Sequence, residues 1–153
     1  MAQFRIQTPI SAPMQNVWAK FDKSLLLKIS PPFPRVNIRR FDGCLQGDEV
    51  ELEINVFGLK ILWTSHITES NETAEKIYFI DEGRIVPFGI HTWKHVHSII
   101  STGKNSCLVE DFVTYQTKFI ILDYLLFPML WGMMLYRKPF YQKYLTHETK
   151  SDQ

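Results

Sequence analysis

Val50, Leu52, Ile54 and Val56 fall on one parity of the stretch DEVELEINV, and Glu49, Glu51, Glu53 and Asn55 on the other. A two-residue period of that kind predicts an antiparallel strand with one dry and one wet face, because successive side chains leave a strand on opposite sides. The same period recurs along most of the chain. FRIQTPI, from Phe4 to Ile10, sets Phe4 and Ile6 against Arg5 and Gln7, and RVNIRRF, from Arg35 to Phe41, leads through Asp42-Gly43 into the stretch just described. Phe57-Gly58 turns the chain into LKILWTSHIT, with Leu59, Ile61, Trp63, Ser65 and Ile67 on a common side, and Ser70-Asn71-Glu72 marks the next turn. Three further strands are expected at Glu75 to Asp81, His91 to Ile100 and Ser106 to Gln116, the last two joined across Ser101 to Asn105.

Helical spacing interrupts this pattern at three places. Ser11 stands where it can cap a helix that has Pro13 near its start and runs through Val17, Trp18 and Phe21. SLLLKI forms a second short helix, stopped by Pro31, Pro32 and Pro34. A long helical run follows from Ile120 to Leu145, with Pro128 and Pro139 as expected kinks. Strand, two short helices, six strands in meander and a long helix spell an α+β domain. A curved antiparallel sheet of about seven strands must cover its apolar face, and only the C-terminal helix is long enough to do so. Wrapping such a sheet around one helix tends to leave a hollow, a common place for a ligand.

Length and charge narrow the picture. The 153 residues suit one domain, read as residues 1–147 with a frayed tail at 148–153. A net charge of +1, with 17 scattered Lys and Arg, leaves no basic stripe for nucleic acid. Cys44 and Cys107 have no paired spacing, and the N-terminal MAQFRIQTPI lacks the apolar core of a secretory signal, which together point to reduced thiols in the cytoplasm. Only 13 uncharged residues separate Asp123 from Arg137, fewer than the ~20 a spanning helix needs. Membrane contact is therefore expected to be shallow, without a span.

Candidate chemistry concentrates in HTWKHVHSI. Alternation puts His91, Trp93, His95, His97 and Ile99 on one face, which the large apolar groups mark as interior, while Lys94 and Ser98 suit water. The next strand sets Val109, Asp111, Val113 and Tyr115 on one side, and the preceding one adds Phe79 and Asp81. A buried Asp111 needs hydrogen-bond partners, and the neighbouring imidazoles are the obvious ones. His66 and His147 read as surface residues.

The series Phe79-x-Asp81, Pro87-Phe88, Trp93-x-His95-x-His97-x-Ile99 and Asp111-x-Val113-x-Tyr115 resembles the START-like helix-grip superfamily, SRPBCC. That superfamily includes the birch pollen allergen fold and polyketide cyclase/dehydrase-like proteins, and the rhythm here is similar to an uncharacterised bacterial ligand-binding branch. Val86 replaces the glycine usual before Pro87-Phe88, and Ile99 stands where an aromatic is usual. The resemblance implies an inner cavity for a small apolar molecule, and for cyclase-like members it implies acid–base chemistry.

His-x-His on a strand sets two Cα atoms about 7 Å apart, close enough to share an ion with Asp111 or Asp81 as a third ligand. No further His or Cys falls at ligand spacing, so neutral hydrogen-bond partners of Asp111 and Tyr115 are expected, with no metal or cofactor. On the long helix, Leu126, Leu130, Met133, Met134 and Arg137 recur at helical spacing and should line the hollow. Trp18, Leu25 to Leu27 and Phe33 are candidates to cover its outer side, alongside a partner subunit or a lipid surface.

The combined expectation is a monomer or homodimer that binds a lipid, fatty acyl or polyketide-like molecule. Trp63, Phe79, Trp93, Val113, Leu126, Leu130, Met133 and Met134 would surround the apolar body, and Asp81, His95, His97, Asp111 and Tyr115 would form a polar end. Binding without reaction is the favoured reading. The alternatives are a cyclase/dehydratase-like enzyme using His95 or His97 with Asp111, and an interaction module whose apolar helix docks a partner or membrane.

Overall fold

The computed structural model describes residues 1–146. The expected frayed tail at 148–153 and the surface placement of His147 lie outside those residues. The chain runs β1 (Ala2–Ile10), α1 (Met14–Trp18), α2 (Lys23–Ile29), β2 (Arg35–Phe41), β3 (Glu49–Val56), β4 (Leu59–Glu72), β5 (Lys76–Ile85), β6 (Ile90–Gly103), β7 (Ser106–Thr117) and α3 (Ile120–Thr146). All strands join one 7-stranded antiparallel sheet in the order β1-β7-β6-β5-β4-β3-β2. It wraps α3, as the alternation and the length of the helix require. β1 closes one end of the sheet on β7, from Ala2 opposite Tyr115 to Ile10 opposite Cys107.

Several boundaries differ from the expected ones, each for a local reason. Ser11 does not cap α1: Pro13 occupies the N-cap position, no side chain bonds there, and the helix ends at Trp18 before reaching Phe21. α2 is capped instead by Asp22, whose carboxylate accepts from the Leu25 N–H at 2.8 Å. Ser70-Asn71-Glu72 stays in β4, and the turn falls one step later, where the Thr73 hydroxyl donates to the Lys76 carbonyl and accepts from its N–H. The β6–β7 turn is likewise tighter than expected, because β6 runs on to Gly103 while β7 begins at Ser106 as expected. Phe57 and Gly58 do form the β3–β4 turn, with φ of 51° and 89°, the pair of positive values that a two-residue hairpin of matching twist demands.

Parity holds along β3 with one exception of electrostatic origin. Glu53, on the expected wet face, is buried because Arg39 and Lys60 pair with it and Asn37 donates to it from the adjoining strands. Two core clusters result. One gathers Val17, Ile29, Ile99, Cys107, Tyr141 and Leu145, the other Phe4, Trp63, Trp93, Val113, Tyr115 and Leu130. α3 contributes to both, and the space between them is left partly unfilled.

The outer side of α3 is not covered as expected. Leu25 packs inward, but Leu27 and Phe33 are themselves exposed, and Ile120, Ile121, Tyr124 and Leu125 stand open on the first turns of the helix. By length and composition α3 is the one helix among the described residues able to cross a membrane, although its Leu130, Met134, Tyr141 and Leu145 are buried against the sheet and short helices. It is thus an apolar surface available for hydrophobic contact while remaining part of the domain.

Candidate active site

β6 brings the chemistry together. A register shift between Ile90 and Thr92 puts Ile90 inside and turns His91 out to solvent, so His91 leaves the set of inward residues. From Trp93 onward the expected alternation is restored, and Trp93, His95, His97 and Ile99 face α3. Ser98, assigned to water, is instead buried between its cross-strand neighbours Tyr78 and Glu110. Gly83 permits the close approach of β5 to this strand: a Cβ there would lie 3.1 Å from the Trp93 Cβ and 2.9 Å from the Val86 Cγ1.

β7 sets Asp111 opposite His97, and β5 sets Asp81 opposite His95. Asp111 is buried behind the two imidazoles. The His95 Nε2–H donates to its Oδ1 at 2.9 Å, which fixes the tautomer of that ring, and the His97 Nδ1 lies 3.1 Å from the same oxygen at an angle that makes no hydrogen bond. The two rings pack with centroids 3.6 Å apart and planes tilted by 33°, and His97 stacks in turn on Phe79 at 4.4 Å. Burial is the largest influence on His95 and, with the neighbouring imidazole, holds it down to about 3 against the pull of Asp111, so the ring is neutral. Burial alone would raise Asp111. The His95 hydrogen bond and the two adjacent rings outweigh it and keep this carboxyl well below the usual carboxylate range.

These groups floor a cavity of about 140 Å³ between sheet and α3. Of the residues the sequence pointed to, Trp63, Phe79, Asp81, Trp93, His95, His97, Leu130, Met133 and Met134 line it, as does Arg137. The structure puts the others elsewhere. Val113 and Tyr115 are fully buried in the packed core, and Leu126 packs against the same cluster. The Tyr115 hydroxyl donates to the Asp123 carbonyl at 2.6 Å, anchoring the first turn of α3, so it is no partner for the histidines. His66 is half-buried, with its Nδ1 shut away from solvent, where a surface residue was expected.

Sequence reasoning missed part of the cavity wall, including Phe21, Leu25, Ile29 and Ile54, and on α3 it missed Tyr141. Tyr141 sits at the polar end, its hydroxyl buried without a well-formed hydrogen bond. The signal was present: Leu130, Met134, Arg137 and Tyr141 continue one helical stripe, and the reading stopped one turn short.

The donor atoms of His95, His97 and Asp111 all lie within 4.8 Å of one another, the one group among the described residues with the spacing to hold a metal ion. That cluster overturns the expectation of a site that binds without reacting. An apolar pocket needs no buried carboxylate wedged against two imidazoles, whereas acid–base or metal chemistry does.

No family model matches the chain, and no curated protein matches it by sequence. An aromatase/cyclase from Streptomyces sp. R1128 superposes with a TM-score of 0.69 at 15% identity, over 93% of this chain and 92% of that one. The shared architecture is the helix-grip fold. Norcoclaurine synthase from Thalictrum flavum shares the helix grip, with a TM-score of 0.69 at 13% identity over 96% of this chain and 87% of its own. So does protein Ms6760 from Mycobacterium smegmatis, with 0.69 at 16% identity over 95% and 91%. Identities this low speak for the helix grip alone and leave the chemistry to the residues above.

Proposed function

We propose that the protein is an acid–base enzyme acting on a small ring-bearing carbonyl compound, in a cyclisation or dehydration. The observation that carries this is the buried Asp111–His95–His97 cluster opening onto an apolar cavity. His97 is the acid–base group: its side chain is 11% exposed against 3% for His95, it stacks on Phe79 in the cavity wall, and no hydrogen bond ties down its Nδ1. His95, locked by Asp111, holds the carboxylate and the second ring in place. In the step proposed, a nitrogen of His97 takes the proton from the carbon beside the carbonyl. The C–H electron pair becomes the C=C bond of an enolate and the carbonyl π pair moves onto oxygen. In a dehydration the carbonyl then re-forms, the enolate pair makes the new C=C bond as the C–O bond to the β-hydroxyl breaks, and the imidazolium protonates that hydroxyl so that it leaves as water. In a cyclisation the enolate carbon bonds to a second carbonyl carbon, whose oxygen takes the C=O π pair and then the imidazolium proton.

Cavity size sets the substrate class. A dry apolar cavity of about 150 Å³ takes up benzene, so the space beside Trp63, Trp93 and Leu130 suits one ring better than a long acyl chain. The structural relatives support the same scale: one is an aromatase/cyclase, and norcoclaurine synthase has been seen in complex with dopamine and hydroxybenzaldehyde.

The test is exchange of α-protons for deuterium in a panel of aryl ketones and 1,3-diketones, followed by NMR. The wild type should exceed buffer, His97→Ala should lose on the order of 10²-fold or more, and Asp111→Asn a smaller factor. Exchange at the buffer rate across the panel, or a His97→Ala variant as fast as wild type, would overturn the assignment.

A further inference from the structure

The polar end of the cavity holds more than the histidine cluster uses. Two residues that line it carry buried polar atoms without a well-formed hydrogen bond: Asp81 at Oδ1, and Tyr141 at its hydroxyl, which lies within reach of Arg137 and Asp111. Groups so deeply buried are almost always fully paired in folded proteins, and two such atoms at one cavity end point to an occupant that completes them. Arg137 lines the same space one helical turn from Tyr141, and it is in no ion pair among the described residues. Its guanidinium charge is felt by Asp81, His95 and Tyr141, which places it at this end. A continuous ring contact from Tyr141 through Phe21 and Phe79 to His97 ties the Tyr141 side to the histidines.

We infer that Arg137, the Tyr141 hydroxyl and the Asp81 carboxyl form a receiving site for an anionic oxygen on the substrate, opposite the base His97. This rests on the catalytic reading above and supplies its other half, the groups that hold the enolate oxygen while His97 holds the proton. The donor inventory fits. Burial, with the Asp111 charge, pushes the Tyr141 hydroxyl up so that it keeps its proton, and burial outweighs His97 and Ser65 in raising the Asp81 carboxyl toward its protonated form. A phenol and a guanidinium are donors, and a carboxyl shifted toward its protonated form repels an anionic oxygen less; donors aimed at developing negative charge are what an enolate requires. In ketosteroid isomerase a tyrosine and a protonated aspartate share an enolate oxygen in this way. The charge is already present in Arg137, so the site also predicts ground-state affinity for a ring that carries a permanent carboxylate.

Binding of phenylacetate, methyl phenylacetate and phenylacetamide, measured by calorimetry and by thermal shift, separates these ideas. The carboxylate should bind tighter than both neutral analogues by on the order of tenfold or more, as hydrogen bonds to a charged group imply. Arg137→Met should erase that preference, Arg137→Lys should restore part of it, and Tyr141→Phe should reduce it. His97→Ala should leave the preference in place while abolishing proton exchange, so failure of the anion site and failure of the catalytic reading give different results. Equal affinity for acid and ester in the wild type, or a preference that survives in folded Arg137→Met, would refute the site.

Discussion

Asp111 and His95 divide one proton between two buried groups, and the division has a consequence for stability. The His95 ring, near 3 when folded, would titrate at 6.5 when unfolded, so between those values the unfolded chain takes up a proton that the folded one refuses. Stability therefore falls as pH drops below 6.5, by about 1.4 kcal/mol per pH unit from this ring. Asp111 acts in the same sense further down: its folded value is depressed, so the stability it contributes above the unfolded carboxylate range is lost as pH falls through that range. Asp81 opposes both, because a raised folded value means the native state protonates first and loses stability as pH rises through that window. Urea midpoints from pH 6.5 to 5 in an Asp81→Asn background should show the histidine slope, and adding His95→Gln should flatten it. A level profile in that background would contradict the neutral, buried ring.

Among the elements, α3 does two jobs with one sequence. Leu130 is almost wholly buried at the junction of sheet and cavity, and Leu130→Ala should cost about 2–5 kcal/mol. Ile121, two turns earlier, is 70% exposed, and Ile121→Glu should shift stability by no more than about 0.5 kcal/mol. Denaturant melts of the two variants check the contrast. Sequence alone could not have drawn it, because the helix is apolar nearly all round and no stripe stands out against the rest. Strands were more legible: a period of two fixes which of Trp93, Lys94, His95 and Val96 go inside, and the pairing of His95 and His97 with Asp111 followed from it. Where strand reading slipped, a local device intervened. The bulge that ejects His91 inserts an extra residue without any polar or apolar signature, and the burial of Glu53 depends on three partners from other strands. Tyr141 is legible only as the next step of the Leu130, Met134 and Arg137 stripe, a signal that the neighbouring Phe140 and Tyr144 blur until packing chooses among them.

At the scale of the whole molecule, the sheet and α3 leave their gap between two separately packed clusters, so the cavity can be lined by groups from both without either losing its core. The architecture also sets how the chain must assemble. Neighbouring strands in sequence are neighbours in the sheet except for β1, which pairs with β7. Contacts that distant slow folding, and refolding from urea is expected in the millisecond-to-second range typical of non-local sheets. Stopped-flow fluorescence of the tryptophans measures it directly, and a microsecond relaxation would be incompatible with this topology. During synthesis the ordering becomes an exposure problem. β1 leaves the ribosome well ahead of its mate and stays unpaired until β7 emerges roughly a hundred residues later, so the nascent sheet carries a bare β edge while β2 to β6 are being made.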